Sequence, residues 1–208
     1  MGSRQCAPDK TLTCLLPWAW GRVYSWAMRI IFLGAGEFGL PTLQALVREH
    51  EVPLVVTQPD RPAGRKRQLT PTPIAAWTHD EGIDTIKPEK VNEPMLLDRF
   101  AALDCDAMVV VAFGQYLKQA LVTIPRLGAM NLHASLLPRW RGAAPINASL
   151  MAGDTETGNT VIRIAKKMDA GDMLGRQAVP IDPRETAGEL HDRLAGMGPD
   201  LVLNVLRG

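Results

Sequence analysis

Asn131 and His133 stand at the carboxyl end of an apolar, strand-like run that begins at Ala129. Side chains at i and i+2 share one face of a strand, so both can point into the same crevice. One is an uncharged amide donor and the other a titratable imidazole. Together they suit a reaction that develops an oxyanion and moves a proton. An Asn and a His at a strand end can also simply satisfy each other. Asp169, within Met168-Asp169-Ala170-Gly171-Asp172, shifts the balance toward chemistry. A carboxylate in a Gly-containing turn between two strand-like segments can orient a histidine and stabilise its charge. No second His or Cys lies at ligand spacing, so no metal is expected.

Short apolar runs alternating with helical patterns are what must position these groups. Ile30–Leu33, Val52–Thr57, Ala107–Ala112 and Ala129–Leu132 read as strands, and Met108-Val109-Val110-Val111 is apolar on both faces, as a strand between two helical layers should be. Pro41–Arg48 and Pro94–Leu103 have helical spacing with proline near the start, where a missing N–H costs little. This alternation predicts an α/β, Rossmann-like, mostly parallel sheet with helices on both faces and a ligand crevice at the strands' carboxyl ends. Asn159–Ile164 and Leu174–Ile181 read as a pair of edge strands. Thr186-Ala187-Gly188-Glu189 matches a capping box opening a final helix whose apolar positions are Leu190, Leu194, Met197 and Leu201.

Gly34-Ala35-Gly36-Glu37-Phe38-Gly39 fits the G-x-G-x-x-G pattern between a strand and a helix, so nicotinamide binding by an oxidoreductase is a genuine alternative. Against it, the second strand ends Val55-Val56-Thr57-Gln58-Pro59, with no carboxylate for the ribose. The glycines then serve only a tight strand-to-helix turn.

The 208 residues are 46% hydrophobic and 22% charged, the composition of a globular domain large enough to fold without disulfides or metal. No run approaches the roughly 18 apolar residues of a membrane span. Three of the 23 basic and one of the 22 acidic residues fall in residues 1–27, leaving 20 against 21 beyond. Overall charge therefore gives no support to nucleic-acid binding, which would need a local patch. Residues 1–27 carry three of the five tryptophans and no hydrophobic period, while Met28-Arg29-Ile30-Ile31 reads as a start followed by a buried strand. The first 27 residues are expected to be a disordered extension from a mis-set start. Pro17, Trp18 and Arg22 argue against a secretory signal there. Beyond that extension Cys105 is the lone cysteine, which makes a reducing cytoplasm the default.

Three stretches resemble the folate-dependent formyltransferase family: Asn131-Leu132-His133 with Ser135-Leu136-Leu137-Pro138, Arg141-Gly142-Ala143-Ala144-Pro145-Ile146, and Met168-Asp169-Ala170-Gly171-Asp172. Thr57-Gln58-Pro59-Asp60-Arg61-Pro62-Ala63-Gly64-Arg65 narrows the resemblance to the methionyl-tRNA branch, and the likeness runs from about Arg29 to the C-terminus.

The resemblance implies a formyl donor, 10-formyltetrahydrofolate, and an acceptor, the α-amine of initiator methionyl-tRNA, in translation initiation. It implies catalytic roles for Asn131, on the developing oxyanion, for His133, in proton transfer, and for Asp169, behind His133. Folate would lie along Ser135, Leu136, Leu137 and Pro138 and along the loop of Phe113, Gly114, Gln115 and Leu117. The Asp60–Arg67 segment would be a loop contacting tRNA phosphates through Arg61, Arg65, Lys66 and Arg67. A cytoplasmic monomer with no protein or membrane partner is expected. The chain departs from the family at Gly34-Ala35-Gly36, where a Gly-Thr turn is usual, and at Ala170, where a hydroxyl residue is common. It also stops at Leu206-Arg207-Gly208, before the family's C-terminal OB-like domain, so residues 28–208 are read as the catalytic domain alone.

Other readings share these residues. An enzyme formylating a ribonucleotide amine or an amino sugar would use the same Asn131, His133 and Asp169, and the basic Asp60–Arg67 segment is what favours tRNA over those. A nicotinamide dehydrogenase would bind at Gly34–Gly39 and be indifferent to His133. A catalytically silent folate- or RNA-binding fragment would be protected by folate without turnover.

Overall fold

A strand with no polar residue over Ile30–Leu33 must be covered on both sides, and the fold supplies both covers. A computed structural model describes residues 27–65 and 67–208, so residues 1–26 and Lys66, with what was expected of them, lie outside the described residues. The chain forms β1 (Arg29–Gly34), α1 (Leu40–Glu49), β2 (Glu51–Val56), β3 (Arg61–Ala63), β4 (Gln68–Thr70), α2 (Pro73–Asp80), β5 (Thr85–Ile86) and α3 (Pro94–Ala102). There follow β6 (Ala107–Val111), α4 (Gln119–Val122), β7 (Ala129–His133), α5 (Pro145–Met151), β8 (Glu156–Arg163), β9 (Met173–Pro180) and α6 (Ala187–Arg207).

Seven strands form one sheet in the order β5-β2-β1-β6-β7-β8-β9. The first five run parallel, β8 runs antiparallel to β7, and β9 runs antiparallel to β8. The chain builds outward from β1 through β2 to β5, then resumes on the other side at β6. The order therefore reverses between β1 and β6, where open sheets leave a crevice at the carboxyl ends. Alternate residues of the central strands feed two cores. Ile30, Phe32, Val109 and Leu132 meet Leu43 and Leu46 of α1 and Leu190, Leu194 and Val202 of α6. Ile31, Leu33, Met108 and Val110 meet Phe100 of α3 and Leu121 of α4. Each such side chain, fully withdrawn from water, contributes about 1.5–3 kcal/mol of transfer free energy.

The capping box expected at α6 forms: Thr186 Oγ1 accepts from the Glu189 N–H, and Glu189 accepts from the Thr186 N–H. Pro199 lies inside that helix, which nonetheless runs on to Arg207. Gly198 lets α6 press against its neighbours, since a Cβ there would come within 2.6 Å of Leu132 Cδ2 and 3.0 Å of Thr42 Oγ1. One expectation is corrected: Asp60–Arg67 is not simply a loop, because Arg61–Ala63 pairs antiparallel with Gln68–Thr70. Gly64 and Arg67, with φ of +66° and +47°, supply the left-handed conformations that reverse the chain. Among the described residues, no helix is long and apolar enough to cross a membrane.

Candidate functional site

Parallel strands deliver their carboxyl ends to one edge, so the turns after β1, β2, β6 and β7 gather there. Those after β1, β6 and β7 border a cleft of about 630 Å3 that Asn131, His133 and Asp169 all line. In β7, Asn131 is registered with Val110 on one side and Ile162 on the other, and His133 with Thr160. The strand thus runs through His133, one residue beyond the expected end, and both side chains take the same face.

His133 is held at two points. Its Nε2 lies 2.9 Å from the Trp140 carbonyl oxygen. That oxygen can only accept, so Nε2 carries the proton, and in a neutral ring Nδ1 is bare. Nδ1 faces Asp169 Oδ2 at 3.9 Å, with side-chain exposures of only 7% and 12%. This separation is too long for a direct hydrogen bond but suits an ion pair or a single bridging water. A proton gained at Nδ1 converts two facing acceptors into a donor and a carboxylate. Asp169 is fixed in turn: its Oδ2 accepts from the Gly142 N–H at 2.9 Å and its carbonyl accepts from Arg141 Nε at 2.9 Å. Its φ of +47° is one that Asp tolerates better than most residues. The adjacent Gly171 has no alternative, because a Cβ there would sit 1.8 Å from the Arg163 carbonyl oxygen.

Phe113, Gly114, Gln115 and Leu117 form a wall of the same cleft. The loop that carries them is fastened from outside. Gln58 Nε2 donates to the Phe113 carbonyl at 2.7 Å, and Asn92 bonds the Tyr116 carbonyl and the Lys118 N–H. The Gln115 side chain is consumed by the Val91 N–H and the Pro88 carbonyl, so the chain offers the cleft its backbone at that point.

Ser135, Leu136, Leu137 and Pro138 are not brought into this cleft. Ser135 is fully buried and its hydroxyl donates to the Arg139 carbonyl at 2.7 Å. Leu137 is also buried, and its N–H donates to Thr160 Oγ1 at 3.2 Å. Leu136, Leu137 and Pro138 border a separate depression of about 510 Å3 with Gly153–Thr157 and Arg176. After His133 the chain turns inward to close on itself, which is why a motif adjacent in sequence faces another way.

The basic segment stands beside the cleft, since Gln58 at its base grips the Phe113–Gly114 wall. Arg61, Arg65 and Arg67 are exposed there, Arg61 within 3.6 Å of Glu89. At the first turn, a Cβ on Gly34 would meet Phe32 Cε1 at 2.6 Å, and one on Gly39 would meet Val111 Cβ at 3.2 Å. Close approach to Phe32 of β1 and Val111 of β6 therefore accounts for these glycines. Gly36, where a Cβ would meet nothing within 4 Å, lines the cleft.

Two participants carry no signal of their own in the sequence. The Trp140 carbonyl is a backbone group and leaves no mark in residue types. His191, the fifth residue of α6, lines the cleft edge-on to Phe38 with ring centroids 5.4 Å apart. It lies far along the chain from every motif, and its place follows only from how α6 crosses the sheet. Gly142–Asn147 also lines the cleft, and there the signal is the Arg141–Ile146 motif itself. Among the described residues, no group of three His, Cys, Asp or Glu side chains is arranged to hold a metal ion.

Comparison with known proteins places this geometry. Residues 28–206 match the formyl transferase family. The methionyl-tRNA formyltransferase of Methylococcus capsulatus is 47% identical over 182 residues, covering 87% of this chain and 59% of that protein. That of Geobacter sulfurreducens is 49% identical over 176 residues, covering 84% and 56%. The chain thus spans a little over half the length of these relatives. Among solved structures, glycinamide ribonucleotide transformylase 1 from Symbiobacterium toebii superposes with a TM-score of 0.72 at 19% identity, covering 87% of this chain and 86% of that one. The enzyme of the same name from Geobacillus kaustophilus gives 0.70 at 23%, covering 87% and 97%. These two likenesses speak for the fold. The family match takes in the whole sheet and every wall of the cleft, and by it the chain belongs to the formyl transferase family.

Proposed function

We propose that this chain moves the formyl group of 10-formyltetrahydrofolate to the α-amine of methionine on initiator tRNA, as the catalytic part of a cytoplasmic, monomeric enzyme of translation initiation. The observation that carries the reaction type is the placement of Asn131 and His133 on one face of β7, with Asp169 3.9 Å behind the imidazole. The donor supplies an electrophilic one-carbon unit. Asn131, as a neutral amide, donates to the oxygen on which negative charge grows, an interaction worth about 2.7–4 kcal/mol per donor removed. His133 accepts the proton of the attacking amine at Nδ1, because Nε2 is already committed to Trp140, and returns it to N10 of the donor as the bond from the formyl carbon to N10 breaks and tetrahydrofolate leaves. Asp169 then faces a cation, and the buried setting strengthens that attraction.

The cleft fits a folate. Phe113, Leu117, Ile146, Ile164 and Met168 give apolar surface, and the fastened Phe113–Leu117 loop adds backbone polar groups. Ser135, Leu136, Leu137 and Pro138 act on folate indirectly, by shaping the turn that returns the chain to His133. For the acceptor, the support is the name shared by the relatives and the exposed Arg61, Arg65 and Arg67, with Lys66 among them in the sequence. Glycinamide ribonucleotide is the competing acceptor, and the structural neighbours carry its name.

The test offers the full chain 10-formyltetrahydrofolate with either initiator Met-tRNA or glycinamide ribonucleotide, at high enzyme concentration. Formylated aminoacyl-tRNA, lost in His133→Ala, is the expected product. Formylation of the ribonucleotide alone would reassign the acceptor, and folate-dependent thermal protection with neither product would leave a binding fragment.

A further inference from the structure

We propose that Asp154 is a positioning residue for His133, acting through Trp140. Asp154 sits just past α5, its own N–H bonded to the Ser149 carbonyl at 3.0 Å, and its side chain is 12% exposed. Both carboxylate oxygens reach back to the segment after β7. Oδ2 accepts from Trp140 Nε1 at 2.6 Å, and Oδ1 accepts from Arg139 Nη2 at 2.8 Å. The Arg139 guanidinium also lies over the indole, 5.0 Å from its centroid.

The clamp holds a backbone that would not rest this way by itself. Trp140 has φ of +58°, a left-handed conformation that a bulky side chain rarely adopts. Such geometry persists only where its surroundings over-determine it. Its consequence is the direction of one carbonyl, which meets His133 Nε2 at 2.9 Å and thereby leaves Nδ1 bare toward Asp169. Two residues further on, the same segment donates the Gly142 N–H to Asp169 Oδ2. The stretch from Arg139 to Gly142 therefore sets what faces both nitrogens of the ring. Asp154 anchors that stretch from the side away from the cleft, where it borders the separate depression. Nothing reacting needs to touch it. An indole donor and a carboxylate fix a tautomer at one remove, as groups behind a metal-bound histidine do.

The catalytic part of this inference rests on His133 working in formyl transfer; the tautomer part does not. The test uses the full chain labelled with 15N histidine, with the His133 signals identified by their loss in His133→Asn. Asp154→Asn keeps the shape but cannot accept from both Arg139 and Trp140, and Trp140→Phe deletes only the indole donor. In the wild type the neutral His133 ring is expected to show Nε2 protonated and Nδ1 bare. Both variants are expected to show mixed tautomers, and kcat for formylation falls about tenfold to a hundredfold with little change in KM. A single retained tautomer in Trp140→Phe overturns the proposal, including where Asp154→Asn fails to fold. Mixed tautomers with unchanged kcat overturn the catalytic part. Absence of formylation in the wild type counts against the enzyme reading, and the tautomer result then decides the positioning alone.

Discussion

The carboxyl end of β7 lines the cleft and the β3–β4 hairpin follows Gln58, which holds the cleft's Phe113 wall, yet the two are built on opposite principles. At β7 the imidazole is enclosed and held, with the His133 side chain 7% exposed between Trp140 and Asp169. On the hairpin the arginines stand in solvent. The Arg61 side chain is 68% exposed, and its 3.6 Å approach to Glu89 is an open ion pair of small worth. Chemistry on a formyl carbon demands groups fixed before the substrate arrives. Gripping a phosphate chain, the role proposed for the hairpin, demands charge and reach, and a short ribbon with left-handed corners at Gly64 and Arg67 offers both.

Substitutions can break this contrast or sharpen it. Asn131→Ala removes one donor without enlarging a core, so the formylation rate is expected to fall about a hundredfold to a thousandfold while the melting temperature stays put. Gly171→Ala acts at a distance: the new Cβ, built 1.8 Å from the Arg163 carbonyl oxygen, must push the turn and carry Asp169 with it. A rate loss of about a hundredfold is expected, with destabilisation of about 1–3 kcal/mol read by denaturant melts. Replacing Arg61, Arg65 and Arg67 together by Ala acts mainly on KM for tRNA. The log–log dependence of binding on salt should flatten by a little under one unit for each phosphate that is no longer neutralised.

The smallest effect lies away from both regions. The hydrogen bond from Arg126, then that from the Arg29 N–H, holds the Asp106 carboxyl below its ordinary value of 3.8. A carboxyl depressed in the fold stabilises it above the ordinary value, and that stabilisation is lost as pH falls through the folded one. The melting temperature should therefore drop on acidification below about pH 4. In Asp106→Asn the drop should be shallower, with formylation at neutral pH unaffected.

Much of the frame is legible because burial leaves a mark in sequence. Ile30–Leu33 and Ala107–Ala112 are apolar on both faces, and they emerge as β1 and β6 within a residue of the expected bounds. The α6 capping box is readable to the residue. The helices α2 and α5 leave a fainter mark, although Pro73 and Pro145 open them and Thr72 caps the first. Both are short, and their apolar positions are too few to make a period. The two-residue β5 exists only because β2 is there to pair with it. In the site, Asn131, His133 and Asp169 are legible as residue types at a strand end and a turn. That Trp140 would offer a carbonyl, and that Ser135–Pro138 would turn away, depends on backbone direction. Side-chain pattern does not encode that direction.

The most direct test is the single-turnover rate of formyl transfer from 10-formyltetrahydrofolate to initiator Met-tRNA, with the full chain in saturating excess, for wild type and His133→Ala. Saturation removes any weakness in tRNA affinity, so the rate reports the β7 site alone. In His133→Ala that rate is expected to fall about a hundredfold to ten-thousandfold. A variant rate within about threefold of wild type, less than any positioned proton carrier supplies, would contradict proton transfer by His133.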